Sequence, residues 1–244
     1  MANWWRTAVS WWDRRRHPQG RPEEPTVDVR RTVFTADFTS TRQWVAGRSS
    51  AYPNMGPTNR GDHKLDHLTP RPIQGGVFNA TRRTTDDLWD CDLLTTEGSP
   101  DGFQLRTGDA LRAKVTLPTG LGAWPAIWTW RAGGNEIDVF EYHPDNPNTL
   151  ELSNHVRPGH RYWLGPPSQV APGATITLRT EFGARSVDWY VADRLVYSDR
   201  RGVGTSWHAY LIVNLSVVDG TYHPRPAAGT TRLSWTCHSL DVLR

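Results

Sequence analysis

Lysine is nearly missing from this chain: of its 28 basic residues, only Lys64 and Lys114 are lysine, against 26 arginines. That bias is one of codon usage and carries no function by itself. Cysteine is as scarce. Cys91 and Cys237 are the only thiols in 244 residues, and without a histidine-rich partner pattern they exclude a zinc site built on cysteine. They are expected as two buried free thiols, with a Cys91–Cys237 bridge as the alternative. No apolar run approaches the roughly 18 residues that a membrane-spanning helix needs, so a transmembrane helix is excluded. A surplus of one charge is also lacking over most of the chain. The formal net charge of +3 arises within residues 1–20, where Arg6, Arg14, Arg15 and Arg16 face Asp13 alone. The remaining 24 basic and 24 acidic residues cancel, which argues against a nucleic-acid partner.

What the chain does have is aromatic surface and turns. Thirteen Trp, 7 Tyr and 6 Phe are more than a disordered segment carries. The 21 Gly and 18 Pro favour frequent turns over long helices. A length of 244 residues suits one large all-β domain.

The N-terminal segment stands apart. Trp4, Trp5, Ala8, Trp11 and Trp12 recur on one face of a helix, with arginines beyond them. Such a helix docks on a partner protein or lies on a membrane surface; the alternative is that it packs on its own domain or frays. Residues 18–29 hold three prolines and read as a linker. The chain therefore divides into a basic, Trp-rich segment with linker over 1–30 and a folded domain over 31–244. The apolar core of a secretion signal, about 7–15 residues long, is not found near the N-terminus.

Within the domain, short runs rich in β-branched and aromatic residues recur between Gly, Pro, Asp and Asn. They are predicted as strands over 32–38, 109–117, 174–181, 186–192, 208–217 and 231–243. Polar and apolar residues alternate in Leu111-Arg-Ala-Lys-Val115 and again from Ile176. Period-2 patterning with this density of turns predicts an all-β, antiparallel β-sandwich. Residues 39–74, with Pro53, Gly56, Pro57, Gly61, Pro70 and Pro72, read as a long loop over the sheets, of a length that is usually functional.

Chemistry concentrates in residues 123–143. Glu136, Asp138 and Glu141 lie within six residues of an otherwise apolar strand, where burying carboxylates without compensation costs several kcal/mol. Glu136 and Asp138 share a face by strand period; Glu141 joins them only if one extra residue, a β-bulge near Val139-Phe140, shifts the register. The two Glu Cα atoms then lie roughly 13 Å apart. Side chains leaning together bring the carboxyls to about 5–6 Å, near the separation of about 5–5.5 Å that a double displacement at a sugar uses. Asp138 between them keeps the pKa values apart, since like charges cannot ionise together cheaply. Trp124, Trp128, Trp130 and Trp163 offer flat faces for sugar rings; for any one of them, core packing is the plainer explanation.

At these residues the sequence resembles glycoside hydrolase family 16. Gly122-Ala-Trp-Pro-Ala-Ile-Trp128 followed by Glu136-Ile-Asp-Val-Phe-Glu141 is similar to the laminarinase-like branch, which has the extra residue before the second Glu. The resemblance spans most of the chain, taking in residues 76–96, Leu117-Pro118 and the run 210–220. It implies a concanavalin-like β-jelly roll with a sugar-binding cleft, Glu136 as nucleophile, Glu141 as acid/base and Asp138 assisting. It further implies that Asn214 and His155 stand in the cleft, and that Asp241 contributes to a structural calcium site; no cofactor is implied for catalysis. Departures from the family pattern are Val218-Asp219-Gly220, Arg112, and Asp193-Arg194 in place of an Asp-Gly hairpin. They bear on loops and subsites, hence on substrate.

The expected activity is a retaining endo-β-glycosidase acting on a β-1,3-type glucan or related polysaccharide. The alternatives are a non-catalytic carbohydrate-binding or virion structural module, and a transglycosylase using the same residues. Such a polymer lies outside the cytoplasm, so a chain without a secretion signal is expected to arrive on a phage particle or by lysis, unless its start is mis-assigned.

Overall fold

The computed structural model describes residues 30–131 and 133–244. The helix expected over residues 4–12 and the linker over 18–29 lie outside the described residues. Six strands open the domain: β1 (Thr32–Thr35), β2 (Val45–Ala46), β3 (Asp66–Leu68), β4 (Val77–Arg82), β5 (Trp89–Cys91) and β6 (Leu93–Thr95). The middle holds β7 (Gln104–Arg106), β8 (Ala110–Thr116), β9 (Ala123–Trp130), β10 (Ile137–Tyr142), β11 (Thr149–Asn154) and β12 (Gly159–Leu164). The chain closes with β13 (Thr175–Phe182), β14 (Val187–Val191), β15 (Arg194–Ser198), β16 (His208–Val217) and β17 (Arg232–Leu243).

These strands form two sheets. One runs β15-β14-β13-β8-β17-β4-β5-β3, with β1 also paired to β17. The other runs β12-β11-β10-β9-β16-β6-β2, with β7 on β16. Alternation decides which residues enter the space between them. On β8, Leu111, Ala113 and Val115 are buried while Arg112 and Lys114 are exposed. On β9, Ile127 enters the core while Trp124, Ala126 and Trp128 take the opposite face. Rings from the two sheets meet inside: Phe140 of β10 lies edge-on to Trp235 of β17 at 5.7 Å.

β10 and β16 depart from simple alternation, being buried over nearly their whole lengths. Chain segments cover the outer face of their sheet there. Leu65 N–H donates to Val217 O (2.7 Å) and Asp219 N–H to His63 O (2.8 Å), joining the segment before β3 to the end of β16. Gly122 makes a similar close approach. Its φ is +84°, and a Cβ there would stand 2.5 Å from Pro226 N, so only glycine fits before β9.

The six sequence-predicted strands are present, with β1 ending at Thr35 rather than residue 38. Two details differ from expectation. Residues 39–74 are mainly loop, but they include β2, β3 and two short 3-10 turns, Pro53–Met55 and Arg60–Asp62. β3 also pairs with β5 in parallel, the exception in otherwise antiparallel sheets. Cys91 and Cys237 are both free and buried; burial pushes each thiol up in pKa.

Candidate active site

The bulge falls where the spacing of the carboxylates requires it. Against β9, Asp138 pairs with Trp128, but the next partners are Phe140 with Ile127 and Glu141 with Ala126. Two steps on β9 thus oppose three on β10, and the extra residue returns Glu141 to the face that carries Asp138. The carbonyl oxygen of Asp138, where the bulge begins, accepts a hydrogen bond across the core from Trp189 Nε1 at 2.8 Å. Thr129 braces the approach to Glu136: its Oγ1 donates to Asn135 O and accepts from Ile137 N–H.

Continuing the register across the sheet gives a row of outward-facing residues. Tyr162 on β12 is opposite Glu151 on β11, which is opposite Glu141, then Ala126, then Asn214 on β16. Glu136, Asp138 and Glu141 share one pocket with Trp124, Trp128, Asn214, Ser216 and Lys64. Trp124 Nε1 donates to Glu141 Oε1 at 2.8 Å. His155 Nε2 lies 3.1 Å from Asp138 Oδ2 at the exposed rim, and its backbone N–H donates to Glu136 O.

Trp128 is fixed by a file of donors. Its Nε1 donates to Asn214 Oδ1 (2.8 Å), Asn214 Nδ2 to Ser216 Oγ (2.9 Å), and Ser216 Oγ to Asp66 Oδ2 (2.7 Å). Asp66, fully buried on β3, also accepts from the Tyr52 hydroxyl and from Val217 N–H. Asp66 accepts at both oxygens, so the donors of the file all run toward it.

Electrostatics separate the carboxyls from ordinary ones. Burial, then the nearby charges of Asp138 and Glu151, hold Glu141 well above the usual carboxylate range, with Lys64 and Trp124 opposing. Burial and Asp138 push Glu136 up to about 7, against the pull of His155 and Lys64. The hydrogen bond that His155 gives to Asp138 raises His155. At neutral pH the site can therefore hold one protonated carboxyl beside a second that is partly ionised, the pairing that acid and nucleophile roles require.

The sequence-predicted residues divide as follows. Glu136, Asp138, Glu141, Trp124, Trp128 and Asn214 come together, with His155 at the rim. Trp130 lies one step along β9, edge-on to Trp128 at 6.2 Å, half-buried and away from the carboxylates. Trp163 packs against the hydrophobic core, and its neighbour Tyr162 is the aromatic residue of β12 that faces outward beside Trp124. Asp241 stands on β17 between β1 and β8. It accepts from Thr35 Oγ1, and its cross-strand neighbour is Arg112. It belongs to neither group of three histidine or carboxylate side chains close enough to share an ion among the described residues.

Sequence reasoning missed Lys64, whose Nζ is 4.7 Å from the Trp124 ring centroid and 5.9 Å from that of Trp128. It also missed Asp66 and Tyr52. The one available signal was that 39–74 reads as a functional loop.

No protein-family model matches the chain, and no curated protein matches its sequence. Solved structures do match. The endo-β-1,3-glucanase of Pyrococcus furiosus superposes with a TM-score of 0.72 at 20% identity, over 91% of this chain and 98% of its own. The fold is the laminarinase fold. The laminarinase catalytic domain of Thermotoga petrophila gives 0.71 at 19% identity, over 89% and 99% of the two chains. LamA of Zobellia galactanivorans, solved with laminaritriose and laminaritetraose, gives 0.68 at 17% identity, over 87% and 98%. Coverage this complete leaves no large part of the laminarinase fold without a counterpart here.

Proposed function

We propose that the protein is a retaining endo-β-glycosidase that cleaves a β-1,3-type glucan or a related polysaccharide. The observation that carries this reading is the bulge in β10, which gathers Glu136, Asp138 and Glu141 into one pocket beside two tryptophans. The fold shared with laminarinases and the family-16-like motif support it.

Glu136, as carboxylate, attacks the anomeric carbon while Glu141, as acid, protonates the departing glycosidic oxygen. A water then enters; Glu141, now a base, takes its proton, and the glycosyl–Glu136 ester is hydrolysed with net retention. Burial favours the protonated form of Glu141 before the first step. Lys64 and His155 favour the ionised form of Glu136. Asp138, held by His155, repels a second charge on either glutamate. Trp124 orients Glu141 through its N–H, and Trp128, nearly buried, lines the same pocket.

The test is reducing-end release from a panel of β-glucans and galactans by wild type and Glu136→Gln. Release by wild type, and a loss of at least about 100-fold in the variant, is the expected result. Equal release by both overturns the assignment of Glu136. Retention is read by NMR as first appearance of the β-anomer. Binding of the polymers without release by wild type would instead favour a carbohydrate-binding module.

A further inference from the structure

On the other side of Trp124 lies a second pocket, lined among others by His143, Glu151, His223, Tyr162 and Tyr222. His143 follows β10 directly, Glu151 is the cross-strand partner of Glu141, and His223 comes from the loop between β16 and β17. One ligating atom from each of the three lies within 4.8 Å of the other two.

The state of His143 is what needs explaining. Its side chain is 5% exposed, yet neither ring nitrogen has a hydrogen-bond partner among the described residues. Nδ1 is buried with none, and Nε2 stands 3.7 Å from Glu151 Oε1, too far for a hydrogen bond. A buried polar atom left in this way calls for a group that the protein itself does not supply. The ring also stacks on His223, with centroids 3.6 Å apart and planes 7° from parallel. The stack brings the two imidazoles to within a single ring's thickness of each other beside Glu151. The Nδ1 of His223 lies 2.9 Å from Asp145 Oδ2, leaving Nε2 as its unengaged nitrogen. A carboxylate behind a histidine is the usual outer support of a metal ligand, because it fixes the tautomer.

We propose that His143, Glu151 and His223 form a binding site for a divalent transition metal of the zinc class, with Asp145 supporting His223. Two imidazoles and one carboxylate suit zinc, with a fourth position left open. They do not suit calcium or magnesium, which take oxygen ligands. The two rings stand parallel, so shared coordination requires His223, which lies on a loop, to rotate out of the stack until both lone pairs reach one ion at about 2.0–2.1 Å. The three side chains line the pocket that Trp124 and Tyr162 share. The site is distinct from the carboxylate pocket and does not rest on the proposed hydrolysis.

The experiment uses the full chain, stripped with a chelator and dialysed. Zn2+ is titrated by calorimetry, and Co2+ is added separately to read its visible ligand-field bands. The expected result is one equivalent of Zn2+ in wild type, lost in His223→Ala and weakened about 10–100-fold in Asp145→Asn. Circular dichroism checks that each variant is folded; His223 lies in a loop, so its removal leaves both sheets intact. His155→Ala is the control, because Glu136, Asp138 and His155 form the other group able to share an ion. No stoichiometric binding by wild type overturns the proposal. So does binding that survives His223→Ala, or that is lost in His155→Ala instead.

Discussion

Replacing Trp189 with Phe tests how the bulge is held. Trp189 is 1% exposed, and its Nε1 supplies a hydrogen bond to the Asp138 carbonyl from the opposite sheet. Phenylalanine keeps most of the ring and removes that donor. A buried acceptor deprived of its partner costs about 1–3 kcal/mol, added to whatever the smaller ring loses in packing. Trp235 provides the reference. It is 2% exposed, and its own Nε1 is buried with no partner, so Trp235→Phe loses similar ring volume while removing an unsatisfied N–H. The gap between the two variants isolates the Asp138 bond. At about 2–4 °C per kcal/mol for a domain of this size, Trp189→Phe should melt lower than Trp235→Phe by about 2–12 °C, read by calorimetry. Its kcat should also fall further, since Asp138 and Glu141 flank the relaxed bulge and small misplacements are costly in such sites. Equal melting temperatures in the two variants would refute the reasoning.

Three other outcomes follow from the electrostatics and the buried network. Lys64→Met removes a cation that favours ionised Glu136, so the acid limb of the kcat/KM profile, expected near 7, should move to higher pH; an unmoved limb contradicts that role. Glu141→Gln should raise the melting temperature by an amount that grows with pH. The folded pKa of Glu141 lies above its unfolded value, so the carboxyl costs nothing below the unfolded pKa and increasingly destabilises the fold above it. Thermal melts at pH 4 and pH 8 check this, and a gain that is larger at pH 4 counts against it. Asp66→Asn turns an amide N–H toward hydroxyls that were donating, and should cost about 1.5–3 kcal/mol in denaturant unfolding with a lower kcat through Trp128; an unchanged midpoint would show that the file of donors adjusts freely.

The carboxylate trio was legible because its spacing is at odds with its setting. Charges at 136, 138 and 141 in an apolar strand satisfy one face only if a residue is looped out, and the register of β9 against β10 contains that residue. The sandwich was legible for a related reason, since β8, β13 and β14 obey period 2 closely. Lys64 and Asp66 could not be found in this way. Their place depends on how residues 39–65 cross the outer face, and no periodicity governs a loop. Trp163 takes the core packing that is the plainer reading for any one tryptophan, since composition does not say which side of a strand faces out. Glu151 and Tyr162 follow from Glu141 once the register is known, but pairing partners are not written in either strand alone.

The anchoring of Asp66 has a consequence for how this protein can change. Three donors from β16 and the Tyr52 turn converge on a side chain only two positions past Lys64. The backbone at position 64 is therefore tethered by its neighbours, whatever side chain it carries. Position 64 behaves as a socket: Lys64 lines the pocket of the three carboxyls and lies over the Trp124 and Trp128 rings, yet its side chain makes no hydrogen bond on which the sheets depend. The charge facing Glu136 can then change by exchange of one residue while the β10 bulge stays in place, and a library randomised at that single codon should retain folded protein.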